Sequence, residues 1–323
     1  MNTKRGADSN NVAVGHFAGQ NVNGSSNVFI GHYSGGASSQ NTISGNVIIA
    51  PRSNALAYDG SHSVIIGADA GAATGLGANA NAVVIGRQAY ADGGKAVIIG
   101  PEAAGKGIVL GDDTEGGNNS DIVIGIGGGT GRRTGATSSA ILMGYNVGNG
   151  QTGSCIVIGT TNAAGKGSAA GLSGTIVIGN GGGSASDTDS IFIGDASGSS
   201  SSGQRNVFLG RRSGNETSGS YNVMIGDSAG YGDGSGTAGS NNVYIGASSG
   251  VGKTENHRLR IDTNSSANTN NTPLIYGEFD NDFLKVNGDL EVTGSDGLIL
   301  TSPNGTRYKV TVTDAGALSV ATA

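Results

Sequence analysis

The sequence holds one cysteine, four prolines and no tryptophan in 323 residues, and each shortage removes a class of protein. A lone Cys155 excludes a disulfide framework and any Cys-x-x-Cys metal site. Eighteen basic residues are scattered against 24 acidic ones, so no basic patch offers itself to a nucleic acid backbone. No apolar run approaches the ~20 residues of a membrane-spanning helix. The first residues, Met1 to Asn10, are not followed by the apolar stretch of a secretory signal. Hydrophobic residues are only 36% of the chain and the net charge is −6. The aliphatic residues nonetheless recur in short, regular packets, whereas disordered chains scatter them.

What the chain has in excess is glycine, 62 residues, against a usual share of about 7%. Most of it belongs to a repeat. An aliphatic triplet closed by a small residue recurs fifteen times, from Val12-Ala13-Val14-Gly15 to Val243-Tyr244-Ile245-Gly246. The closing residue is glycine in every copy but one, where Ala50 stands, and closing residues lie 11 to 20 apart. Gly15, Gly31, Gly67, Gly86, Gly100, Gly125, Gly159, Gly194, Gly226 and Gly246 are therefore read as structural residues.

A triplet of Val and Ile is too short for a helix and reads as a short strand. The closing glycine supplies a bend or a close backbone approach. One strand per repeat, stacked at about 4.8 Å, gives a parallel β-solenoid. Fifteen such rungs make a rod roughly 70 Å long at that spacing. Residues 1–10 form a tail, 11–250 the roll and 251–323 a smaller domain.

The first and third residues of a triplet face one way and the middle residue the other. Both faces are apolar in all fifteen copies. The uniform Val or Ile at the first position fits a narrow interior. The more varied middle row, including Val109, Val123 and Leu142, is the candidate stripe between subunits. The pattern alone does not assign the faces. Either way, a second apolar face as long as the rod demands a cover, and a further copy of the chain repeats the contact at every rung.

Units such as Ser63-Val64-Ile65-Ile66-Gly67 and Asn206-Val207-Phe208-Leu209-Gly210 resemble the head repeats of trimeric autotransporter adhesins, which form left-handed parallel β-rolls packed three to an axis. They also resemble the Asn-Val-Phe-Ile-Gly repeats of bacteriophage tail-fibre proteins. The resemblance spans residues 11–250 and implies a homotrimer.

Beyond residue 250 glycine thins and longer strands are expected at 258–262, 273–277 and 283–286, with a polar loop at 267–272. Asn287-Gly288 and Asn304-Gly305 read as hairpin turns, and Tyr308, Val310 and Val312 share one strand face. The segment from Gly297 to Tyr308 resembles a closing element of phage virion proteins, and 273–277 with 286–290 resembles a fibre connector. An adhesin is expected to carry a signal peptide, a heptad stalk and a membrane barrel, and their signatures are missing. The resemblance therefore implies a virion location, on a tail or head fibre. Its implied partners are other tail or capsid proteins and a host-surface glycan or protein. A bacterial adhesin head on the cell surface and a glycan-cleaving tailspike are the alternatives.

Candidate sites are few. His16 and His32 follow closing glycines in adjacent rungs and are weak metal candidates against a packing role. Asp112-Asp113 and Asp187-Thr188-Asp189 lack a calcium-binding repeat and read as solvated turns. The glycines at 127–131 lack the Lys-Ser/Thr of a phosphate loop. Arg132-Arg133 and Arg211-Arg212 read as solvated or glycan-contacting. No paired acids flanking a cleft are evident, so no catalytic residue and no cofactor is assigned. Receptor contact is expected on loops, with Arg212, Tyr221 and Tyr231 as weak candidates.

Overall fold

The computed structural model describes residues 10–35, 41–49, 51, 62–71, 81–91, 95–116, 121–126, 139–145, 147, 153–160, 173–183, 188–232, 239–263, 272–293 and 297–323. The candidate loops at 127–133 and 267–271, together with Ala50 and Asp187, lie outside them. No helix occurs among the described residues. The chain is all-β, and its parallel coils stack into a solenoid followed by a small antiparallel sheet.

Each aliphatic triplet forms a strand, and the strands join in one sheet of eighteen. All pair in parallel except the last two, Ile275–Glu278 and Phe283–Val286, which add antiparallel. The register never slips: Val12 pairs Val28, Val28 pairs Val47, and so on to Val243. A slip of one residue would turn every apolar side chain to the other face. Short parallel pairs on another wall, such as Tyr90–Ala91 with Ala104–Gly105, also close the coil.

The structure assigns the two faces that the pattern leaves open, and the interior is the middle row rather than the uniform first one. From Phe29 to Tyr244 every middle residue is at most 1% exposed. Val109, Val123 and Leu142 therefore fill the coil and are not a stripe between subunits. First and third residues point outward, with Ile30, Ile99 and Leu209 about 40% exposed. The reason is volume. The coil is thin and admits one large side chain per rung, so the varied row of Phe, Ile, Met and Tyr belongs inside, where each is matched individually to its opposite wall.

That matching is visible at Phe208. The wall facing it is Gly214, where an added Cβ would lie 2.3 Å from the ring. Gly214 also sits at φ +61°, in the left-handed region. The closing glycine has a different reason. At Gly210, φ is +134° and a Cβ would meet the Gly226 carbonyl oxygen at 2.3 Å. The same geometry holds at Gly15, Gly67, Gly86, Gly100, Gly194 and Gly226, and Gly31 and Gly246 share the positive φ. Strand pairing continues through Gly125 and Gly159, in the longer strands Ile122–Ile126 and Cys155–Thr160.

The parallel ladder does not stop at residue 250. Arg258–Ile261 adds a sixteenth rung, pairing Leu259 with Val243 and Arg260 with Tyr244. The hairpin that follows turns at residues 279–282 rather than at Asn287-Gly288; the Asn287 side chain instead donates to the Pro273 carbonyl at 2.6 Å. Asn304-Gly305 does lie in the turn between Leu298–Thr301 and Arg307–Val312.

Candidate functional site

Three polar features are built on this scaffold, and one apolar surface. The first polar feature lies inside. The residue before a triplet is buried in every copy but the first, and in nine copies its side chain accepts the backbone N–H at the same position one rung on. Asn206 Oδ1 takes the Asn222 N–H at 2.9 Å, Asn222 Oδ1 takes Asn242 at 2.9 Å, and Asn242 Oδ1 takes Arg258 at 2.9 Å. Asn11, Asn27 and Asn46 form the same ladder near the other end. Ser63, Asp121 and Ser190 replace asparagine elsewhere and accept in the same way. A second ladder uses serines of the facing wall: Ser213 Oγ donates to the Met224 carbonyl at 2.8 Å, and Ser34 to that of Ile48 at 2.8 Å. The ladders satisfy backbone groups that a coil this tight would otherwise strand. Their sequence signal is a polar residue recurring directly before the strand, one position outside the aliphatic pattern.

The second feature closes the roll. Arg260 occupies the interior position of the sixteenth rung, where a bare aliphatic would end the core against water. Its guanidinium pairs with Glu255, with Arg260 Nη2 at 2.9 Å from Oε2, and lies 5.2 Å from the Tyr276 ring. Tyr244 also donates to Glu255, at 3.3 Å. Burial pushes the Tyr244 phenol well above its ordinary range, and the Glu255 carboxylate adds to the effect. Burial opposes the Arg260 charge, but the hydrogen bond and charge of Glu255, with Tyr244 and Tyr276 adding to them, hold that guanidinium above its usual value. An arginine at a core position hides this rung from an aliphatic search.

The third feature is the pair of corners flanking the outward strand face. In most rungs the residues two before the triplet and two after its glycine adopt positive φ, including Arg205 (+58°), Tyr221 (+61°) and Arg212 (+55°). The expected receptor residues are thus separated. Tyr221 lies at the corner entering the strand and Arg212 at the corner leaving it, on opposite edges of the face. Tyr221 is exposed, and Arg205 donates to its hydroxyl at 2.5 Å while stacking 5.5 Å from its ring. Asp189 extends this ladder, 3.8 Å from Arg205. On the other edge Arg211 pairs with Asp227 at 2.9 Å. The Ser228 hydroxyl and then Arg211 hold the Asp227 carboxyl below its usual range, with Arg212 adding to the field. Tyr231 is half-buried.

His16 and His32 are exposed and stack, with ring centroids 5.4 Å apart and planes within 5°. Phe17 and Tyr33 lie beside them, ring centroids 4.8 Å apart and planes tilted by 31°. The two histidines thus form a short ladder of stacked rings along adjacent rungs. Asp112, the last residue of strand Ile108–Asp112, and Asp113, in the bend after it, are exposed, and no cluster of three metal-ligating residues occurs among the described residues.

The apolar surface is the outward face itself. First and third residues of all fifteen triplets are Val, Ile, Leu or Met, and no described one is buried. Their exposed area is on the order of 1,500 Å², several times the largest apolar patch of a typical monomer. No protein-family model matches the chain, and no curated protein is significantly similar to it.

Proposed function

We propose that the protein is a homotrimeric virion fibre of a bacteriophage, structural and receptor-binding, whose rigid roll presents its corners and loops to a host surface. The observation that carries the reading is the outward aliphatic face, unbroken by any charge over fifteen triplets. A face of constant register is matched at every rung only by a surface with the same repeat, and a copy of the chain supplies it. The phage rather than adhesin reading rests on the resemblance of residues 273–277 with 286–290 to a fibre connector and of 297–308 to a closing element.

With the face covered by copies, the corners remain for recognition. The Arg205–Tyr221 ladder offers an exposed ring beside fixed donors, a combination suited to a host glycan. Cleaving a glycan would require two acids across a cleft, which the corner ladders do not provide.

The assembly is tested by the mass in solution of wild type and Ile124→Asp, a substitution on the outward face. Wild type is expected as a trimer that Ile124→Asp dissociates. A monodisperse wild-type monomer overturns the reading. The host role is tested by competition: purified protein should block adsorption of the phage that encodes it, and Tyr221→Ala should block it less.

A further inference from the structure

The C-terminal sheet presents a surface that nothing in the roll requires. Strands Leu298–Thr301, Arg307–Val312 and Leu318–Thr322 form an antiparallel meander, with Leu298 opposite Val310, Val310 opposite Val320, and Val312 opposite Leu318. Cross-strand partners share a face, and alternate residues take opposite faces. One face therefore carries Leu298, Leu300, Tyr308, Val310, Val312, Leu318 and Val320 without a charge. The other carries Thr301, Arg307, Lys309, Thr311 and Ser319, with Ile299 as its one large apolar side chain.

Among the described residues nothing covers the apolar face. Leu318 is 75% exposed and Val312 65%. A sheet that is apolar on one face must bury that face against another element, so a cover is part of this element's design. We propose that the cover is the same face of other copies, making residues 297–323 a second self-association element at the end of the roll. The proposal rests on the reading that the chain assembles with itself, and adds a separate surface to it.

Three observations favour a copy over another partner. The apolar side chains expose on the order of 600 Å² per chain, close to the ~800 Å² each partner gives to a specific interface. The face has no charged or hydrogen-bonding group except the Tyr308 hydroxyl and Thr322, so it selects nothing but another apolar face. The outward face of the roll is apolar in the same way, so copies held along the roll bring their C-terminal sheets together at high effective concentration.

The test uses the full chain. Val320→Cys should form an interchain disulfide on mild oxidation and run as a covalent dimer on a non-reducing gel. Ser319→Cys, one residue away on the polar face, should remain a single chain; the native Cys155 is buried in the roll. Amides of residues 298–322 should be protected from exchange in wild type and lose at least tenfold of that protection in Leu318→Asp, with residues 207–245 unchanged. An oligomeric wild type whose Val320→Cys variant does not cross-link refutes the C-terminal element alone. Wild-type amides that exchange at unfolded rates at 298–322, or protection unaltered in Leu318→Asp, refute it as well. A monomeric wild type refutes both this proposal and assembly through the roll.

Discussion

Truncating one asparagine of the interior ladder should open the roll locally, and Asn222→Ala is the most direct test. The Asn222 side chain is fully buried. Its Oδ1 holds the Asn242 N–H at 2.9 Å, and its Nδ2 reaches Asn206 Oδ1 at 3.3 Å. Alanine leaves the Asn242 N–H unpartnered, which costs about 1–3 kcal/mol, and removes the longer bond, worth about 1 kcal/mol. The expected loss is about 2–4 kcal/mol. Because each coil contacts only its neighbours, the loss should be local, and the amide of Asn242 should exchange roughly 30- to 1,000-fold faster at 1.4 kcal/mol per tenfold. Asn222→Ser should lose less, because Ser63 and Ser190 already hold this position and accept backbone N–H groups at 3.1 and 3.0 Å. Exchange measured by mass spectrometry, with exposed Tyr221→Ala as control, separates the cases. If alanine and serine behave alike, or if Asn242 stays protected in both, the ladder does not hold the coils together.

Gly214→Ala should destabilise the roll by about 2–4 kcal/mol, combining overpacking against Phe208 with a left-handed backbone; Phe208→Leu in the same chain should restore part of the loss in thermal melts. The Tyr244 phenol has a raised folded pKa, so its contribution is fully present below the unfolded value of about 10 and is lost as pH rises beyond it. The melting temperature should therefore fall between pH 9 and 11, and Tyr244→Phe should flatten that fall; an unchanged slope refutes the assignment.

The solenoid was legible because strand, bend and period all sit in the same four residues. Val207-Phe208-Leu209-Gly210 states a strand by its β-branched and aromatic composition, and its bend by its glycine. The ladders were less legible, since Asn206 or Ser190 before a strand resembles ordinary loop composition. Only the coil's narrowness makes their burial necessary. The sixteenth rung was hidden for a related reason: Arg260 violates the aliphatic pattern because it ends the core, where a charge can be shared with Glu255 and Tyr276. The corner residues were legible as polar and no further. That Tyr221 meets Arg205 depends on coil-to-coil register, which variable linkers conceal in a one-dimensional reading.

The face assignment was beyond the pattern altogether, because a triplet that is apolar on both sides carries no sign of which side is inside. The structure places Val123 in the coil and Ile124 outside it, and two adjacent substitutions test that placement. Val123→Asp puts a carboxylate between Val109 and Leu142, where it loses its water without gaining a partner. The cost of several kcal/mol falls on the fold, so the rungs around residue 123 should unfold in every copy. Ile124→Asp places its carboxylate on the outward face, where a single chain keeps it solvated. Its cost appears only when copies cover that face. Circular dichroism with mass in solution distinguishes the two: Val123→Asp should lose β-structure, and Ile124→Asp should keep it while losing partners. If instead Val123→Asp gives folded monomers and Ile124→Asp remains fully assembled, the interior and the interface have been exchanged.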